Sequence, residues 1–152
     1  FDTRDALASS GGNVGPGMAQ LRVMLADLDV PELEPVPADH VLTKTFYLVQ
    51  SFPGRWADGQ MWVETSVRTE LDEGRPVRAG DGVSPILITS NDLAGAWAID
   101  AVGQPLFPVV PDGNWQREMS YRAGINVVMY TLTGNYKADQ VHLPALLERL
   151  GQ

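Results

Sequence analysis

The stretch Val83-Ser84-Pro85-Ile86-Leu87-Ile88-Thr89-Ser90 constrains this chain more than any other part of it. A short, unbroken apolar run bounded by turn formers suits a strand covered on both faces, so the rest of the chain has to supply a layer on each side. The run predicts a central strand, with Pro85 near its start, where a missing N–H costs least. Helical material lies on either side of it in sequence. Met18, Leu21, Leu25 and Leu28 recur at helical spacing with Met24 beside them, and Asp29-Val30-Pro31 ends the pattern. The longest helix is expected from residue 115 to 133. There Ile125, Val127, Val128, Met129, Tyr130 and Leu132 surround the axis and predict a mostly buried element that stops at Gly134-Asn135. Pro144, Leu146, Leu147 and Leu150, with Gly151 beyond, outline a short further helix. Strands mixed with helices around a buried strand imply an α/β layered domain.

The intervening segments fill in the strands. Thr45-Phe46-Tyr47-Leu48-Val49 and Met61-Trp62-Val63-Glu64 read as strands from their aromatic and β-branched content, joined through the turn Phe52-Pro53-Gly54-Arg55-Trp56. Ala96-Trp97-Ala98-Ile99 and Leu106-Phe107-Pro108-Val109-Val110 read as the arms of a hairpin, the prolines confining the second arm to an edge. Residues 32–39 should run extended across the surface, and residues 68–82 should form an exposed loop. Phe1-Asp2-Thr3-Arg4-Asp5 reads as the exit of a strand whose upstream neighbours lie before Phe1.

Bulk properties narrow the functional classes. At 152 residues the chain fits one domain, large enough to bury roughly 70% of its unfolded surface without staples. Cysteine is absent, which removes disulfides, thiolate metal sites and a cysteine nucleophile from this segment. A formal net charge of -8, from 11 basic and 19 acidic residues, opposes an extended phosphate-binding face, so nucleic acid is not an expected partner. No stretch approaches the roughly 20 apolar residues that span a bilayer.

Three constellations could carry chemistry. Asp2, Arg4 and Asp5 precede a glycine-rich loop and a helix, and Asn91-Asp92 follow the central strand. In a parallel sheet both groups would meet outside the carboxyl ends of the strands, where open α/β sheets hold ligands. Paired carboxylates there do acid–base work only if their surroundings separate their pKa values; otherwise Asn and Asp simply cap turns. Gly12 and Gly17 have the end spacing of a phosphate loop. Met18 and Ala19, however, stand where lysine and a hydroxyl residue are needed, so no nucleotide is expected. The third group, Arg55, Trp56, Trp97, Trp115, Arg117 and Arg122, suits a sugar or carboxylate ligand, or more simply a rim of packed rings and ion pairs. His40 and His142 share no metal-ligand spacing, and no serine sits in a nucleophile elbow. Neither a metal nor a cofactor is expected.

Longer strings carry a further signal. Phe1-Asp2-Thr3-Arg4-Asp5, His40-Val41-Leu42-Thr43-Lys44-Thr45-Phe46-Tyr47-Leu48, Phe52-Pro53-Gly54-Arg55-Trp56, Asn91-Asp92-Leu93-Ala94-Gly95-Ala96-Trp97 and Gly134-Asn135-Tyr136-Lys137-Ala138-Asp139-Gln140-Val141-His142 together resemble a bacterial family of domains of unknown function. That family occupies the C-terminal region of membrane proteins that begin with a BatA-type double-transmembrane segment. The resemblance implies an open, mostly parallel sheet flanked by helices, similar to class I glutamine amidotransferases and flavodoxin-like folds. Residues 1–152 would then be the C-terminal part of a single α/β domain whose first strands lie upstream. It also implies a soluble domain of a membrane-anchored cell-envelope protein, tied to the membrane only through the upstream segment. The expected role is a non-catalytic module binding a protein or small-molecule ligand, with Asp2, Arg4, Asp5, Asn91, Asp92 and Trp97 as candidate contacts. The alternative is a hydrolase or amidotransferase-like enzyme using the acidic residues at the sheet's carboxyl edge. An uncovered sheet edge would also permit homo-oligomers.

Overall fold

Backbone pairing converges on Ile88 and Thr89, both buried, at the end of the apolar run. The computed structural model describes residues 1–5, 14–65, 83–111 and 113–134. On one side Ile88 exchanges both backbone hydrogen bonds with Trp62, antiparallel, at 2.7 and 3.0 Å. On the other, Thr89 N–H donates to the Phe1 carbonyl and the Thr89 carbonyl accepts from Thr3 N–H, each at 2.9 Å, in a parallel bridge centred on Asp2. Beyond Trp62 lies the one regular ladder among the described residues. Strand β1, Leu33–Pro35, pairs antiparallel with β2, Trp62–Glu64, placing Leu33 opposite Glu64 and Pro35 opposite Trp62.

The apolar run lies between these two pairings, but the expected central strand does not form: only Ile88 and Thr89 pair, each in an isolated bridge. Pro85 has no N–H to offer. Next to it the Ser84 hydroxyl replaces strand partners, accepting from Glu64 N–H at 2.8 Å and donating to the Ile86 carbonyl at 2.6 Å. The result is a mixed α/β arrangement around a small antiparallel sheet. Parallel pairing among the described residues is limited to the isolated bridges of Asp2 with Thr89 and Trp56 with Val110.

Two expected strands become something else. Residues 45–49 form no strand, because Asn126, fully buried on the long helix, takes the place of a neighbouring chain. Its carbonyl oxygen accepts from Phe46 and Tyr47 N–H (3.3 and 2.8 Å), and its amide donates to the Leu42 and Tyr47 carbonyls (2.9 and 2.8 Å). All four hydrogen-bonding sites of one side chain are used on loop backbone. The hairpin around residues 100–104 exists, with Ile99 bridged to Pro105 and Asp100 accepting from Val102 and Gln104 N–H. Its first arm starts only at Ala98, since residues before it form a short helix.

Three helices are described. Helix α1, Pro16–Leu25, opens with proline in its first turn, where the missing N–H is no loss. Leu21 is its buried residue, while Val23 and Met24, and Leu28 beyond the end, are exposed, so the expected apolar face is only narrowly covered. Helix α2 is Leu93–Trp97. Helix α3, Gly113–Thr133, is 21 residues long and stops at Gly134, whose φ of 53° suits glycine.

Helix α3 is where the structure departs furthest from the expectation of a mostly buried apolar helix. Its buried residues are Gln116, Ser120, Ala123, Gly124, Asn126 and Tyr130. Trp115 is 64% exposed, Val128 54% and Leu132 76%. The buried cluster it covers joins Leu42, Val49, Phe52, Met61, Leu93, Ala123 and Tyr130. No helix among the described residues is long and apolar enough to cross a membrane. The expected helix near residues 144–150 and the loop at 68–82 lie outside the described residues, as does most of the glycine-rich loop.

Candidate functional site

The carboxyl edge of the parallel pair does gather the acidic residues that the sequence singles out. Asp2 ends one segment and Asn91-Asp92 the other, and the pairing of Asp2 with Thr89 brings them into contact. The Asp2 carboxylate accepts from Arg4 N–H (3.1 Å), Asp92 N–H (3.1 Å) and Leu93 N–H (2.7 Å). It closes its own turn and satisfies the free donors at the start of α2.

Asp92 takes up a left-handed backbone conformation, φ 56°, which short polar side chains tolerate. The turn aims its carboxylate along α2, where Oδ1 caps Gly95 N–H at 3.1 Å and Oδ2 pairs with Arg55 at 3.3 Å. Arg4 also has positive φ, 57°, and its side chain is exposed. Asn91 is fully buried. Its amide donates to the Phe52 and Gly59 carbonyls (2.8 Å each) and its oxygen accepts from Gly59 N–H (2.9 Å). Gly59 is required there, because a Cβ would lie 2.2 Å from the Asn91 oxygen.

Asp5 faces a different helix. Its carboxylate accepts from the Thr3 hydroxyl and, at 3.0 Å, from Met18 N–H in the first turn of α1. Burial works to raise its pKa, yet hydrogen bonds from Thr3, Met18, its own backbone and Gly17 outweigh that and hold it below the ordinary carboxylate value. Asp5 is therefore held as an anion clamping α1 to the start of the chain.

Trp97 does not join this cluster. Its ring lies across Gly124, where a Cβ would come within 2.4 Å of Cζ2, and its Nε1–H donates to the buried Ser120 hydroxyl at 2.8 Å. Of the six candidates, Asp2 and Asp92 are joined by a hydrogen bond, Asn91 ties the loops at Phe52 and Gly59, Asp5 holds α1, Arg4 is exposed and Trp97 belongs to the interface of α2 with α3.

The basic and aromatic group is likewise dispersed. Arg55 stacks between Trp56 and Phe107, 4.6 and 4.9 Å from the ring centroids, and donates to the Pro108 carbonyl at 3.3 Å. Arg117 reaches the Ala96 and Phe107 carbonyls. Arg122 pairs with Glu118 and lies over Tyr47. These arginines brace loops against α2 and α3 rather than frame a ligand.

Sequence reasoning missed Gln116, Ser120 and Asn126. Gln116 donates to the Gly54 and Arg55 carbonyls at 2.8 and 3.0 Å, so α3 holds loop backbone at both ends of its inner face. The i, i+4 spacing of Gln116 and Ser120 was the available signal; Asn126 had none. His40, which lacks metal-ligand spacing in the sequence, serves the backbone instead. Its Nδ1 accepts from Leu42 N–H at 3.1 Å, and its pKa is lowered chiefly by burial, with Asp39 and Glu34 pulling the other way. Among the described residues no three His, Asp or Glu side chains gather to hold a metal ion.

One groove of about 310 Å³ runs beside α3, lined by Trp97, Tyr121, Gly124, Ile125, Val128 and Met129. A family model described as a domain of unknown function, DUF4159, matches residues 1–132. A search of curated proteins found no match.

Proposed function

We propose, from the premise that the chain belongs to the DUF4159 family, that it is a non-catalytic binding domain whose partner is another protein. The observation carrying this reading is the hairpin at residues 98–110. Ile99, Val102, Leu106, Phe107 and Val110 are all exposed on it, Val102 to 78%. Single exposed apolar residues are ordinary; five on one hairpin make an interaction surface. The hairpin is also braced, because Arg55 and Arg117 hold its second arm at Pro108 and Phe107, and an ordered surface loses little freedom on binding. The net charge of -8 favours a partner whose apolar patch is rimmed by basic residues.

The carboxyl edge supports the same reading from the other side. Asn91, Asp92 and Asp5 are buried and their polar atoms are engaged by the chain's own backbone, Thr3 or Arg55. For this reason the alternative, a hydrolase or amidotransferase-like enzyme using these acids, ranks second. The family resemblance extends the proposal to a soluble domain of a membrane-anchored envelope protein with an amidotransferase-like sheet.

The test is affinity capture from membranes using the full-length protein, against a variant carrying Ile99→Asp and Leu106→Asp. A specific partner should fall at least about tenfold in the variant, in line with the loss of a central hot spot, and should weaken as salt rises. Equal retention by both proteins would refute the hairpin as the binding surface.

A further inference from the structure

We infer that His40 is an acid-operated latch on residues 40–49: proton uptake at its Nδ1 frees that segment from α3 while the rest of the domain stays folded. The side chain caps the 3-10 turn Val41–Thr43, where Nδ1 accepts from Leu42 N–H at 3.1 Å. A backbone N–H can only donate, so Nδ1 has to carry a lone pair and the proton of the neutral ring sits on Nε2. Leu42 is fully buried, and the imidazole packs against Tyr130 of α3 with 5.7 Å between ring centroids. A second proton sets two donors against each other and leaves the Leu42 N–H without an acceptor where water does not reach.

The segment is arranged to come away as a unit. Residues 44–49 form neither strand nor helix. Among the described residues, the hydrogen bonds of residues 41–49 stay within 38–49, except those to Asn126. The remaining ties are the burial of Leu42 and Val49 and the contact of Arg122 with the Tyr47 ring. A segment with so few bonds to distant backbone lies at the low end of local stability. Its release uncovers Leu42 and Val49, so acid adds apolar surface to the domain.

The surroundings of the ring set the direction of the response. Burial disfavours the imidazolium and is the largest influence; Asp39 and, on β1, Glu34 favour it, and Lys44 opposes it. From α3 the titratable group facing the ring is Tyr130, whose hydroxyl accepts from Ser84 N–H. The net result is a latched pKa below the ordinary histidine value of about 6.5. The closed segment is therefore fully favoured above that value and loses the advantage as pH falls through the lowered one. The hairpin lies on other residues and takes no part.

Amide hydrogen exchange in the full chain, read by NMR and corrected for intrinsic rates, tests the latch. Between about pH 7 and about pH 5 the protection of Leu42, Phe46 and Tyr47 should fall at least about threefold, one proton allowing at most about tenfold per pH unit. Trp62 and Ile88, which exchange backbone hydrogen bonds with each other, should hold theirs. His40→Asn caps the turn without titrating, so it should keep the protection seen at neutral pH and abolish the fall. The same fall in His40→Asn, no fall in the unsubstituted chain, or a parallel fall at Trp62 and Ile88 would overturn the latch. The ring nitrogens give a check that needs no variant. Their chemical shifts at neutral pH should place the proton on Nε2; a proton on Nδ1 would equally overturn it.

Discussion

The inner and outer faces of α3 differ in a way opposite to most surface helices, where apolar residues turn inward. Inside, Gln116, Ser120, Asn126 and Tyr130 are buried and bonded to neighbouring groups; outside, Tyr121, Ile125, Val128 and Leu132 are exposed. The inner face works by satisfying loop backbone that has no strand partner, since an unpaired buried N–H or carbonyl costs about 1–3 kcal/mol. The outer face does no such work, and its composition makes sense only when something apolar lies on it. One helix thus holds the domain together with polar groups and presents its apolar groups elsewhere.

The largest effect should come from breaking the polar side. Asn126→Leu leaves the Phe46 and Tyr47 N–H groups and the Leu42 and Tyr47 carbonyls without their partner, and is expected to cost about 3–5 kcal/mol in urea unfolding. A cost below about 1 kcal/mol would mean the loop does not depend on that side chain. Next comes the seam between the two faces, where Gly124→Ala drives a methyl into the Trp97 ring. Overpacking of this kind should cost about 1–3 kcal/mol and alter the near-ultraviolet circular dichroism of Trp97.

On the outer face the comparison can be sharpened. A merely solvated Val128 would tolerate aspartate within about 0.5 kcal/mol. With an apolar surface packed on it, Val128→Asp should cost about 1–2 kcal/mol. Trp115 is the control. It is 64% exposed and outside the groove, and Trp115→Ser should fall within about 0.5 kcal/mol.

The smallest expected effect is in pH. His40 has a lowered pKa in the folded state, so the unfolded chain binds more protons between the lowered and ordinary values. Its contribution to stability is complete above the ordinary histidine value and is lost as pH falls through the lowered one. Asp5 behaves with the same sign at lower pH, its contribution disappearing as its depressed carboxyl protonates. His40→Asn keeps an acceptor for Leu42 N–H and should flatten the first of these losses, read as the midpoint of denaturant unfolding between pH 7 and 5. An unchanged slope would assign that loss to other groups.

Parts of this molecule are legible from local pattern. The strand at Trp62–Glu64 and the helix ending at Gly134 both follow from it. Residues 45–49 are not legible in this way. Their β-branched and aromatic content reads as a strand, yet a ladder partner is replaced by one asparagine some 80 positions away. Likewise Trp97 sits next to the acidic pair in sequence, but the start of α2 turns it toward Gly124 and Ser120.

The sequence by itself determined the α/β class, the end of the long helix at Gly134 and the absence of cysteine chemistry, because each depends on short-range periodicity or on composition. Only the tertiary structure decided which face of α3 turns inward and whether the carboxylates stand open or engaged. Both depend on where distant backbone donors and acceptors lie. A buried amide left unpaired costs about 1–3 kcal/mol, more than the roughly 0.8 kcal/mol a methyl-sized group gains by burial, so the helix turned its polar side to the chain that needed it.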